Sequence, residues 1–300
     1  MGKHGASNTI TNHALSVSNE TRHPYLAQIA HLSDVHFGRH DPTAVTAILD
    51  DLGTARPDLV VVSGDFTQRA RRSQFREARG FLDAVEALGL AWLAVPGNHD
   101  IPLYDVARRF LTPLKRYRHF ITRDLTPRYD AAGVAVLGIN TARSLTISDG
   151  RVSEEQIAAL SGHFADVPAA AMRVLVTHHP LVALPWGEEG ALLEPAGRSP
   201  RALAAAVEAS VDVLLAGHHH RSFAGSAHSV AATHGSLLII QAGTATSTRV
   251  RGERNSYNLI DIGTSTVEIE VRARDTGPFE TVRTECHQLA DGCWTTTAAS

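Results

Sequence analysis

Through the first hundred residues, short apolar runs alternate with longer stretches whose apolar positions recur every three to four residues. The runs at 27–32, 59–63 and 91–95 predict buried strands, and the stretches at 43–52 and 73–88 predict the amphipathic helices between them. Pro57-Asp58 and Gly89 punctuate the helix-to-strand turns, and Ser73 is the expected N-cap of the second helix, with Arg76 and Glu77 in its first turn. After this βαβαβ opening the pattern changes. Segments 129–131 and 134–139 flank Ala132-Gly133 as a hairpin, Ser153 starts a helix with Gln156 completing a capping box, and 174–177 reads as another buried strand. Beyond a strand at 213–216, four runs at 237–241, 257–262, 266–272 and 279–283 follow without helices between them and predict a second sheet stacked on the first. Two mixed sheets flanked by helices, an α/β four-layer αββα sandwich, is the expected fold class.

Composition narrows this to one enzyme-sized domain. With 300 residues and 43% hydrophobic content the chain can bury an ample core. The expected division is a polar tail over 1–24, a single domain over 25–285 and a C-terminal tail over 286–300. A net charge of -3 with both signs interspersed offers no broad basic face, which argues against duplex nucleic acid as a partner and leaves a short single strand open. The first 24 residues lack an apolar stretch, so they read as a tail and not as a signal peptide or membrane anchor. A cytoplasmic location and no membrane partner are the default expectations; association into a homo-oligomer is left open. Cys286 and Cys293 are expected as free thiols in a reducing compartment, a bridge between them being the alternative.

The chemistry is concentrated in five segments that each follow an apolar run: Asp34-Val35-His36, Gly64-Asp65, Gly97-Asn98-His99-Asp100, His178-His179-Pro180 and Gly217-His218-His219-His220. In an α/β fold all five fall on loops at the carboxyl edge of a sheet. Asp34 and His36, two apart, face one ion only where the backbone bends into a loop. Gly64 lets the backbone approach closely and aims the Asp65 carboxylate, whose two oxygens can bridge. Asn98 offers an amide oxygen, and His178, His218 and His220 offer imidazole nitrogens. This mixed set suits two divalent or trivalent transition-metal ions, Mn, Fe, Co or Zn, better than Mg or Ca. A lone histidine is ordinarily a surface or satisfied core residue, but several carboxylates and imidazoles buried at one edge need a compensating cation.

In their order along the chain these motifs resemble the calcineurin-like metallophosphoesterase superfamily, whose signature runs D-x-H, GD, GNH(D/E), H and GHxH. Within it, GNHD, HHP and the chain length resemble the class III cyclic-nucleotide phosphodiesterases and the glycerophosphodiesterases. The resemblance covers Asp34 to His220 and implies the same four-layer fold. It also implies that Asp34, His36, Asp65 and His220 hold one ion and Asp65, Asn98, His178 and His218 the other, with Asp65 bridging. By the resemblance, His99 and Asp100 stand over the substrate phosphate, beside Asn98, as the catalytic pair; since a carboxylate next to an imidazole commonly orients it, Asp100 is expected to orient His99. His219, at the variable position, is left out, and His179 is expected to be structural, its ring closing the pocket wall.

The chain departs from the superfamily's protein phosphatases, whose phosphate-gripping arginines are absent where it reads GNHDIP and GDFTQRA. Arg143 is the remaining candidate for a phosphate or leaving-group contact; Arg69, Arg71 and Arg72 are expected to be a solvated helix start. Fewer cations beyond the metals suit a singly charged diester better than a doubly charged monoester. Two ions about 3.5 to 4 Å apart lower the pKa of a shared water from roughly 15.7 toward 7, so direct hydrolysis by a bridging hydroxide is the expected reaction. A small phosphodiester, with 3',5'-cyclic AMP leading, is the expected substrate. Glycerophosphodiesters, 2',3'-cyclic nucleotides and short oligonucleotides compete, and a non-catalytic scaffold of the same fold is the reading from another class. Trp186 and Tyr104 either stack a base or belong to the core.

Overall fold

The computed structural model describes residues 25–183, 194–219, 236–248 and 254–297, with the backbone of 231–234. Its first half follows the sequence pattern: β1 (Ala27–Leu32), α1 (Pro42–Ala55), β2 (Leu59–Val62), α2 (Arg72–Ala87) and β3 (Ala91–Ala94). Short helices α3 (Val106–Leu111) and α4 (Lys115–Phe120) lead to β4 (Arg128–Ala131), β5 (Val134–Gly138), α5 (Glu154–His163), β6 (Met172–Val176), α6 (Ser199–Glu208) and β7 (Val213–Ala216). Six strands close the order: β8 (Ala231–His234), β9 (Leu237–Gln241), β10 (Asn255–Ile262), β11 (Thr266–Arg274), β12 (Glu280–Ala290) and β13 (Cys293–Thr297).

Two mixed sheets result. One runs β13-β12-β11-β10-β1-β2-β3 and the other β4-β5-β6-β7-β9-β8. The alternation of side chains along each strand splits the apolar runs between three cores. Val60 and Val62 pack against Ile48, Leu52 and Phe75 beneath the first pair of helices. Leu59 and Val61 face Val174, Val176 and Val213 across the gap between the sheets. Leu175, Leu214 and Ile239 turn outward to Leu160, Phe164 and Ala206 under α5 and α6. Helix, sheet, sheet and helix form four layers, the expected αββα sandwich.

Three expectations are corrected. Of the four runs assigned to the second sheet, only β9 joins it; β10 pairs antiparallel with β1, and β11 to β13 extend the first sheet. The C-terminal tail over 286–300 is not one, because 286–290 and 293–297 form a hairpin around Asp291 and Gly292, both with positive φ. Within it Cys286 lies opposite Thr297 and Cys293 opposite Ala290, and both thiols are free. Finally, α2 begins before Ser73. Its N-cap is Arg71, because the Gln74 side chain accepts from the Arg69 and Arg71 amides at 3.0 and 3.2 Å and fixes the start there. The capping box of Ser153 and Gln156 forms as expected, with bonds of 3.2 and 2.9 Å. The tail over 1–24 and Trp186 lie outside the described residues.

Candidate metal centre

The carboxyl ends of β1, β2, β3, β6 and β7 meet at one place, and each ends in one of the five motifs. The backbone there is wound tightly. Asp34, His36, Asp65 and His218 all take positive φ, at 53°, 47°, 53° and 81°. Each such residue costs about 1–2 kcal/mol, a strain that persists only where the surroundings impose it. Here they do: Asp34 N–H donates to Gly64 O at 3.1 Å, His36 N–H to Asp65 O at 3.0 Å, and His218 N–H to the Asp34 carboxylate at 2.9 Å. Gly97 makes room for the cluster, since a Cβ on it would fall 2.1 Å from Asp65 Oδ1. A Cβ on Gly64, whose φ is +97°, would meet His178 Nδ1 at 2.5 Å.

The side chains converge on Asp65. Its Oδ1 accepts the His99 amide at 2.8 Å, whereas its Oδ2, fully buried, accepts no hydrogen bond among the described residues. That oxygen lies 3.8 Å from His36 Nε2 and 3.5 Å from His178 Nε2, between the two imidazoles. Asp34 Oδ1 stands 3.5 Å from His36 Nε2 on one side, and Asn98 Oδ1 stands 3.2 Å from His178 Nε2 on the other. His178 is aimed by its Nδ1, which donates to Ser63 O at 2.7 Å, and its ring lies 5.1 Å from that of His218. His218 Nδ1 is buried without a hydrogen-bond partner among the described residues. Six of the seven expected ligands are thus brought together; His220 lies outside the described residues.

Charge makes the same point. Burial alone would lower the imidazoles, yet Asp65 raises His178 to about 9, and Asp34 and Asp65 raise His36. Asp65 is driven well below the usual carboxylate range, its own burial being outweighed by His178, His99 and His36. Two fully buried carboxylates therefore draw positive charge into this spot. Transition-metal cations meet that demand with the imidazoles neutral and their nitrogens free to ligate, so the donor set fits metal.

His99 is held differently from expectation. Its Nδ1 lies 2.8 Å from Gln68 O, a carbonyl that only accepts, so Nδ1 carries the hydrogen and Nε2 is the nitrogen left for chemistry. Asp100 is not its partner. The Asp100 carboxylate is fully buried and accepts from the amides of Phe66, Thr67 and Gly97 at 3.2, 3.0 and 3.0 Å, tying the Gly64-Asp65 loop to the turn at Asn98–Asp100. Burial and the charge of Asp65 push it up to about 7 against those donors. Asp100 thus bears on His99 through the backbone, its carboxylate bonding the loop amides and not the His99 ring among the described residues.

Arg143 is likewise corrected: its guanidinium donates to Asn140 O and Ala142 O at 2.9 Å and to Gln156 Oε1 at 2.5 Å, which leaves it bracing the start of α5. His179 is structural. Its ring nitrogens engage Thr141 Oγ1 at 2.8 Å and Ser148 O at 2.9 Å, pinning the 143–149 loop as part of the pocket wall. Sequence reasoning missed Gln68 and also Ser33, whose hydroxyl donates to Asp34 Oδ2 at 2.6 Å. Gln68 acts through its carbonyl, which no side-chain pattern reveals.

Comparison with known proteins agrees with this geometry. The sequence model described as calcineurin-like phosphoesterase matches residues 27–222. Over 206 residues the chain is 27% identical to a probable cyclic nucleotide phosphodiesterase of Synechococcus sp., covering 65% of this chain and 74% of that protein. It is 28% identical over 206 residues to the glycerophosphodiester phosphodiesterase GpdQ of Enterobacter lignolyticus, covering 64% and 70%. Among solved structures, a dimetal phosphatase from Danio rerio superposes with a TM-score of 0.59 at 14% identity, over 86% of this chain and 99% of that one, a likeness of fold. The matched family is dinuclear-metal dependent. The chain belongs to the calcineurin-like phosphoesterase family.

Proposed function

We propose that the chain hydrolyses phosphodiesters with two transition-metal ions. Asp34, His36, Asp65 and His220 would hold one ion, and Asp65, Asn98, His178 and His218 the other. The observation that carries this is Asp65 Oδ2, a buried carboxylate oxygen with no hydrogen-bond donor among the described residues, set between His36 and His178. Bound ions of this kind polarise phosphoryl oxygens and bring the pKa of water from about 15.7 toward 7. Everything else falls to the chain's own residues. Asp100 and Gln68 fix the His99 ring with its Nε2 facing the site; in its imidazolium form, with Nδ1–H kept on Gln68 O, His99 delivers the Nε2 proton to the departing alkoxide and is left as the neutral Nδ1–H tautomer. Thr141 and His179 hold the 143–149 loop, whose Ile147 carbonyl accepts from Asn98 Nδ2 at 3.2 Å and so orients the amide oxygen toward His178.

A diester is favoured over a monoester because the nearby guanidiniums of Arg109 and Arg143 are spent on backbone and amide oxygens. The activities for which the two sequence relatives are named support the same class, with 3',5'-cyclic AMP leading and glycerophosphodiesters next. A rate panel on the Mn-loaded protein tests this: bis(p-nitrophenyl) phosphate against p-nitrophenyl phosphate, then cyclic AMP, a glycerophosphodiester and a single-stranded oligonucleotide. The expected result is a higher kcat/KM for diesters than for the matching monoester. Faster monoester turnover, or no diester turnover at all, would overturn the reading.

A further inference from the structure

Nine large hydrophobic side chains are exposed among the described residues, and seven of them fall on two short segments beside the metal centre. Leu103, Tyr104, Val106, Phe110 and Leu111 lie on and before α3; Leu145 and Ile147 lie on the loop after β5. The most exposed are Leu145 at 83% and Leu111 at 80%. The segments are joined. Arg109, itself buried, donates to Pro102 O at 3.1 Å and to Thr146 O, and Ile147 O accepts from Asn98. They therefore form one apolar rim on the side of the site where Asn98 stands.

Around this rim the charge is not that of the whole chain. Segments 69–76 and 103–123 hold ten of the 28 Lys and Arg residues, against one carboxylate, Asp105. Packing brings them together. The Arg69 guanidinium lies 5.0 Å above the Tyr104 ring, Arg72 lies 5.9 Å above Phe120, and Arg116 donates to Ala70 O at 2.6 Å. Arg116 is lowered by burial and then by Arg108 and Arg72, so those three cations crowd one another. Arg108 pairs with Asp105 at 3.0 Å, which still leaves the cations in large excess. Exposed apolar side chains beside such an excess of cations are what an interfacial surface requires: the former enter the acyl boundary while the latter meet anionic headgroups.

We propose that this rim docks the protein on an anionic lipid bilayer. The aliphatic character of five of the seven exposed side chains favours lipid over a nucleic-acid strand, which needs aromatic faces to stack on. Peripheral docking departs from the sequence-based expectation of no membrane partner, which rested on the lack of an apolar stretch; it needs no apolar span, and among the described residues no helix is long and apolar enough to cross a membrane. The proposal is independent of the reaction catalysed.

The test is co-sedimentation of the 300-residue, Mn-loaded protein with phosphatidylglycerol-rich vesicles and with pure phosphatidylcholine vesicles. Wild type should sediment with the first and far less with the second. Arg72→Gln with Arg108→Gln should weaken partitioning by about fivefold per residue, and Leu111→Ser with Leu145→Ser by about tenfold per residue. Both pairs should retain wild-type hydrolysis of soluble bis(p-nitrophenyl) phosphate and the wild-type unfolding midpoint. Wild type that ignores anionic vesicles, or variants that bind them as wild type does, would overturn the proposal. So would capture of single-stranded DNA, lost in the same variants, without vesicle binding.

Discussion

The two banks of the metal centre are built by different means. The first sheet supplies both Asp34 and Asp65, on loops whose positive-φ residues are locked by backbone bonds and by the buried carboxylate of Asp100. The second sheet supplies His178 and His218, and these lean on the first: His178 Nδ1 donates to Ser63 O, and the His218 amide donates to Asp34. The acidic bank is thus the template, and the imidazole bank is registered against it. Damage to the first should spread across the site, whereas damage to the second should stay local.

With both ions retained, the largest expected effect lies where template and chemistry meet. His99→Asn should lose about 10²- to 10⁴-fold in kcat on an alkyl diester such as cyclic AMP, because a strongly basic alkoxide needs a proton as it leaves. On bis(p-nitrophenyl) phosphate the loss should be clearly smaller, with metal content unchanged. Equal losses on both substrates would make His99 a phosphate-positioning residue, and loss of metal would make it structural.

Gly97→Ala attacks the template from behind, since its Cβ would fall on Asp65 Oδ1. Metal affinity should drop about 10- to 100-fold at both ions, the cost typical of disturbing a group that orients a ligand. His218→Ala should instead remove one ion and leave the other, as calorimetric Mn titration of the two variants would show. Similar losses in both would dissolve the distinction between the banks.

A change outside both banks should affect stability alone. Asp51 on α1 accepts from Tyr257 Oη at 2.5 Å and from Arg272 at 2.6 and 3.1 Å, clamping the helix to β10 and β11. Asp51→Ala should cost about 2 kcal/mol in denaturant unfolding, the scale of hydrogen bonds to a charged group, with kcat unchanged.

Much of the acidic bank was legible in the sequence because the apolar runs are uniform and each is followed at once by its motif. Val60, Val61 and Val62 are buried on both faces, so the strand shows without knowledge of its neighbours. The later strands were misassigned because pairing is non-local: nothing in the run of β10 says that Ala27 will lie opposite Ile262. The terminal hairpin, rich in Thr and half-exposed, lacks an apolar run, although Asp291-Gly292 is a tight-turn signal that could have found it. Asp100 and Arg143 were placed in the chemistry by proximity in sequence, whereas their hydrogen bonds show them bracing loops.

The dependence of both ions on Asp65 is best tested by elemental analysis of the wild-type and Asp65→Ala proteins after saturation with Mn and removal of free metal. Two Mn per chain in the wild type and none in the variant, with diester turnover abolished, is the predicted result. A single ion in the saturated wild type, or an Asp65→Ala protein that keeps an ion and near-normal turnover, would contradict it.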